Sequence, residues 1–270
     1  MNITRTSNPT LGKNAFTSEA NNQRMAGTTG TTFGQNDAAT ESATANGNVM
    51  TMKGVINKTI ILFAILLITG IVSWKMTMSG QIASSAILIG SIIGGFILAM
   101  ITGFVKKASP ITAPLYAAFE GVVLGSISSM FEAAYSGIVF QAVSLTLLVF
   151  GLMLFIYKAG ILKASGKFMK GVAIATGAIA IYYLVSFIVG LFTPALNEYL
   201  FANPLIGIII SVVIVAVAAL NLILDFSTIE SNANSGAPKY MEWYAGFGLM
   251  VTLVWLYIEI LRLLSYLRRN

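Results

Sequence analysis

Seven apolar segments follow one another from Val55 to the C-terminus, each close to the ~20 residues that cross a hydrocarbon core. They run approximately Asn57–Met76, Ile82–Val105, Pro114–Ala134, Ile138–Tyr157, Gly171–Phe192, Pro204–Thr228 and Glu242–Tyr266. Such runs are too long for strands and lack period-two alternation. In lipid, where water cannot satisfy the backbone, they can only be helices. Pro110, Pro114, Pro194, Pro204 and Pro238 are expected in connections or first turns, so that no proline interrupts a span.

Composition agrees: 56% of residues are hydrophobic and only 10% charged, with a mean hydropathy of +0.82. Average charged usage in soluble domains is about 25%. The net charge of +6 does not point to nucleic acid, because the basic residues mostly flank apolar runs. The absence of cysteine excludes disulfides, thiolate metal sites and thiol nucleophiles. Histidine is also absent, which removes the commonest general base and transition-metal ligand. An enzyme is therefore not expected. A Ser–His dyad is impossible, and the aspartates, Asp37 and Asp225, form no paired protease motif.

The chain divides into a polar tail, residues 1–52, and a membrane domain, residues 53–270. Rich in Ser, Thr, Asn and Gly, the tail has too little apolar surface to offset its ordering entropy and is expected to be disordered. No apolar stretch follows until Ile56, so it does not read as a cleaved leader. With the N-terminus inside, the inner face collects Arg5, Lys13, Arg24, Lys53, Lys58, Lys106, Lys107, Lys158, Lys163, Lys167, Lys170 and Lys239. The outer face keeps Lys75, Arg262, Arg268 and Arg269, a distribution that favours this orientation and an outer C-terminus. The Arg268–Arg269 pair alone prefers the inside, which leaves a six-span topology with one re-entrant segment as the alternative.

Gly90 with Gly94, and Gly121 with Gly125, are spaced for close helix approach, and ordinary packing within the chain is the expected use. The acids are more informative. Glu132, Glu230 and Glu242 fall near span ends and are expected to be solvated. Glu120, Asp225 and Glu259 are embedded in apolar sequence, where an ionisable group costs about 2.5–3.5 kcal/mol on insertion scales. Each must face the bundle interior, carry a proton or pair, and Arg262 is the basic residue available within a span. Carboxylate oxygens suit hard cations such as calcium. Two carboxylates that share a proton and repel when both are ionised can also latch two helices.

LYIEILRLLSYLR, Leu256 to Arg268, resembles the pattern that ends members of the Bax inhibitor-1 superfamily, and LDFSTIE, Leu224 to Glu230, resembles the segment closing their sixth span. Tyr157 to Val172 and the stretch from Ala237 onward are similar to the bacterial branch with a long polar tail. The resemblance covers roughly residues 50–270. It implies an all-α fold of seven transmembrane helices, with a central C-terminal helix wrapped by two three-helix layers, in a bacterial plasma membrane. It further implies a pH-sensitive calcium leak with no resident cofactor, calcium or another cation being the permeant ion. Carried over by motif, Asp225 and Glu259 form the proton-sensitive latch and Glu120 lines the ion path; no metal site is assigned.

The chain departs from the family pattern in having glutamate at 259. Its stretch from Asp225 to Glu259 is also about ten residues longer, a displacement of roughly 15 Å at 1.5 Å per residue. Glu242, Glu230 and Arg262 are therefore further candidate partners. The same acids would serve a proton- or cation-coupled transporter, and a non-conducting regulatory partner of membrane proteases or other membrane proteins is the third reading. The expected partners are the lipid bilayer and a cation, with any protein partner unknown.

Overall fold

The computed structural model describes residues 48–80, 85–162, 164–192 and 204–269. The greater part of the expected disordered tail, residues 1–47, lies outside the described residues. Seven described helices are long and apolar enough to cross a membrane: α1 (Met52–Met78), α2 (Ser85–Phe104), α3 (Ser109–Ala134), α4 (Ile138–Lys158), α5 (Gly166–Phe192), α6 (Pro204–Asn234) and α7 (Met241–Arg269). The six-span alternative is thereby set aside.

Two boundaries differ from expectation for local reasons. A 3-10 turn, Lys106–Ala108, leads directly into α3 with Pro110 in its first turn, so Pro114 lies inside the helix rather than at its start. The carbonyl four residues before Pro114 consequently lacks its helical N–H donor. At the same end of the bundle, α6 runs past Thr228 to Asn234 because no breaker occurs before Gly236 and Pro238. Gly236 adopts φ +69°, the left-handed conformation that a glycine takes without steric penalty.

The two layers are visible in the packing. Helices α1 and α2 lie on α3, α4 and α5 lie on α6, and α7 touches α1, α3, α4 and α6. One face of α7 presents Phe247, Met250 and Val254 to Leu62 and Leu66 of α1 and to Ala113, Tyr116 and Ala117 of α3. The other presents Leu249, Leu253, Leu256 and Ile260 to Ile138 and Ala142 of α4 and to Ala218, Leu222 and Phe226 of α6. A helix apolar on both sides has to be buried, which is why the last span is the axis of the bundle.

Small residues bring α1 and α3 together. A Cβ on Gly125 would stand 2.2 Å from the Gly70 carbonyl oxygen, and one on Gly121 1.9 Å from Thr69 Oγ1. The close approach lets Ser73 donate to the Val122 carbonyl at 2.7 Å and share a hydrogen bond with Ser126 at 2.9 Å. Gly121 and Gly125 thus serve packing within the chain, whereas a Cβ on Gly90 would meet open space.

The part of the tail adjoining α1 is paired. Met50 N donates to the Ala237 carbonyl at 2.7 Å and Lys239 N to the Asn48 carbonyl at 3.0 Å. Met50 is buried with Val55, Ile229 and Met241. Residues 48–50, on the tail side of the expected boundary at 53, thus pack against the α6–α7 turn.

Candidate functional site: buried acids around the central helix

Glu242 opens α7 and is only 2% exposed, which overturns its reading as a solvated interfacial acid. Its Oε1 accepts from Thr51 N and from Thr51 Oγ1, both at 3.1 Å. Thr51 is the N-cap of α1 and accepts in turn from Gly54 N at 3.0 Å. A carboxylate here satisfies donors that a helix start leaves orphaned and meets the positive end of the helix dipole. Gly54 is required for this approach, because a Cβ there would collide with the carboxylate at 1.9 Å. Around it, the Lys58 ammonium lies over the Trp243 ring at 4.7 Å and that of Lys106 over Tyr244 at 5.3 Å.

Asp225, on α6, faces α7. Thr252 on α7 stands beside it, its hydroxyl donating to the Gly248 carbonyl at 3.2 Å, while the Asp225 Oδ2 is buried with no partner among the described residues. An orphaned buried carboxylate oxygen is costly and calls for a functional or chemical explanation.

Glu259 lies seven residues beyond Thr252 on α7, about 10 Å further along the helix. It is 1% exposed and accepts from the Tyr183 hydroxyl of α5 at 2.5 Å. Arg262 Nη1 stands 3.3 Å from both carboxylate oxygens and 2.6 Å from the Tyr183 hydroxyl, and its guanidinium lies 5.0 Å from the centre of the Tyr183 ring. Glu259 is thus neutralised locally by Arg262 and Tyr183 rather than by Asp225. The pairing expected between these two acids is not the arrangement in this structure. Asp225 stands instead beside Thr252, seven residues before Glu259 on α7.

Glu120 occupies another seam. It lies beside the Tyr116 side chain one turn earlier on α3, and a Cβ on Gly95 of α2 would come within 4.0 Å of its Oε2. Tyr116 in turn meets Phe247 of α7 edge-on, with ring centroids 5.1 Å apart. The three interior acids therefore lie in separate seams: α2 with α3, α6 with α7, and α5 with α7.

The remaining acids mark the ends. Glu132 accepts from Gly137 N at 2.5 Å and Val139 N at 3.1 Å, closing the turn from α3 to α4 rather than standing in solvent. Glu230 is exposed and accepts from the Tyr157 hydroxyl. Arg268 donates to the Ser136 carbonyl at 2.6 Å and to Gln141 Oε1 at 2.9 Å. The end of α7 is thereby fixed beside the α3–α4 turn, across the bundle from the Thr51–Glu242 contact. Among the described residues, no group of three or more Asp or Glu is placed to hold a metal ion.

Thr252, Tyr183 and Thr51 complete these sites and are not identified by the sequence reading. Thr51 has the form of a helix N-cap before an apolar run, and Tyr183 is a polar handle within an apolar span. Thr252 has no local signal, since its role follows from the register of α6 on α7.

The architecture and its interior acids define an integral, multi-pass membrane protein whose polar groups converge on a central helix. The sequence model of the family described as Bax inhibitor 1 like matches residues 8–269, and the chain belongs to that family. A comparison with curated proteins finds no match.

Proposed function

We propose that this protein is a proton-sensitive leak pathway for calcium or another cation, in a bacterial plasma membrane with its N-terminus cytoplasmic, and that it carries out no enzymatic reaction. The observation that carries this reading is Asp225, a half-buried residue whose Oδ2 is buried and unpartnered among the described residues, on α6 at its contact with the central helix. Taking up a proton converts a carboxylate from an acceptor alone into a donor and acceptor and removes its charge. At Asp225 that event changes what α6 can offer Thr252. The two helices are thereby coupled to pH where the α4–α6 layer meets the axis.

Glu259, held by Arg262 and Tyr183, is here an anchor for α5. The proton-sensitive contact falls to Asp225 and Thr252, and Glu120 is a second acid on the cation path.

The test is calcium entry into proteoliposomes followed between about pH 5 and 8. Wild-type flux should vary with pH and Asp225→Asn should flatten the profile, whereas Glu259→Gln should lower the amount of folded protein more than it alters the profile. An unchanged profile in Asp225→Asn would remove this residue from the sensing role. Silent wild-type vesicles at every pH would favour the transporter or regulatory reading.

A further inference from the structure

A cleft of about 1490 Å³ opens between α1 and α4, bordered by the two three-helix layers. Its floor is formed by Leu249, Leu253, Val254 and Tyr257 of the central helix and by Leu124 of α3. The volume exceeds the roughly 300–1,000 Å³ of small-ligand pockets. The cleft is open at the surface, since Ile60 on one wall is 60% exposed and Leu147 on the other 63%.

The wall makes almost no polar demand. Ser128 and Tyr257 share a hydrogen bond at 2.7 Å, Thr146 Oγ1 donates to the Ala142 carbonyl at 2.7 Å, and Tyr157 is taken by Glu230. Thr59 Oγ1 is buried without a partner among the described residues, and Ser227, Glu230 and Asn234 of α6 add polar groups to the lining. An ion would find no set of ligands here, whereas hydrocarbon would find a continuous apolar surface.

The length and the ends narrow the occupant. Along α1 the wall runs from Met52 to Lys75, about 35 Å at 1.5 Å per residue, close to the ~30 Å of a bilayer's hydrocarbon core. Lys158 lines one end and Lys75 the other, beside Trp74, and neither ammonium has an ion-pair partner among the described residues. Lys167 and Lys170, at the start of α5, add exposed positive charge after the Lys158 end. We propose that this cleft is a binding site for anionic phospholipid, with acyl chains along the α1 and α4 walls and the phosphate at an end lysine.

The experiment places a photo-crosslinking residue at Val143, a wall position of α4 that is 43% exposed, and a control at Phe187, 65% exposed on α5 and outside the cleft. The full chain is irradiated in vesicles of phosphatidylglycerol and phosphatidylcholine with identical chains, then weighed intact. Phospholipid adducts should form at Val143 in excess of Phe187 and be enriched in phosphatidylglycerol. Native mass spectrometry of Lys75→Gln and Lys158→Gln should show that enrichment falling by about fivefold per lysine, the effect of one basic residue at an anionic surface.

Ile60→Trp, which projects into the cleft from an exposed position, should lower retention of both lipids together. Equal adducts at Val143 and Phe187 would mean ordinary boundary lipid and overturn the proposal. An adduct of protein mass would overturn it in favour of a partner helix or a second copy. Enrichment unchanged in both lysine variants would overturn the headgroup assignment.

Discussion

At the scale of single residues, the two buried glutamates of α7 are held in different ways and should respond differently to substitution. Arg262→Met leaves Glu259, 2% exposed in its side chain, without its cation, and breaking a buried pair this way costs about 3–5 kcal/mol. Glu259→Gln leaves instead an arginine whose side chain is 36% exposed and can reach the interface, so the loss should be smaller. Unfolding of both variants in detergent, with the double variant closing the cycle, checks the order. The reverse ranking would mean that Arg262 is held by something other than Glu259. Glu242→Ala removes the acceptor of two Thr51 donors, and charged hydrogen bonds of this kind contribute about 1.5–3 kcal/mol. Glu242→Gln keeps an acceptor and should recover part of it.

At the scale of elements, the pairing of α1 with α3 rests on backbone proximity that only glycine permits. Gly125→Ala places a methyl group 2.2 Å from the Gly70 carbonyl, so the helices must part and the Ser73–Ser126 contact with them. Overpacking of this sort costs about 1–3 kcal/mol. Gly90→Ala, on the open face of α2, should be neutral or slightly stabilising, because alanine is the better helix former. Melting the two variants side by side tests the assignment, and equal stabilities would remove the close contact.

The Thr51–Glu242 contact works at the same scale. Because Asn48 and Met50 also bond across to Lys239 and Ala237 of the α6–α7 turn, the start of α1 and the start of α7 should loosen together in hydrogen exchange when Glu242 is replaced.

For the molecule as a whole, seven spans put the α6–α7 turn and residue 48 at one end and the α3–α4 turn with the end of α7 at the other. The chain has no cysteine, so single introduced thiols report sidedness without background. Asn48→Cys and Ser235→Cys should react with a membrane-impermeant maleimide from one side and Ser136→Cys from the other. Labelling of all three from the same side would contradict the seven-span path.

Much of this was legible in advance. Hydrophobic runs of membrane length, with backbone groups that lipid cannot satisfy, dictate helices, their number and their approximate ends. Apolar residues on both sides of the last span go with its burial, and acids at 120, 225 and 259 stand out because charge is expensive in that setting. Which acid meets which partner is not a property of any one segment. It depends on the register of α6 against α7, where seven residues separate Thr252 from Glu259, and on the packing of α5, which brings Tyr183 to Glu259. Those offsets are fixed by side-chain packing between helices distant in sequence, so only the tertiary structure decides them.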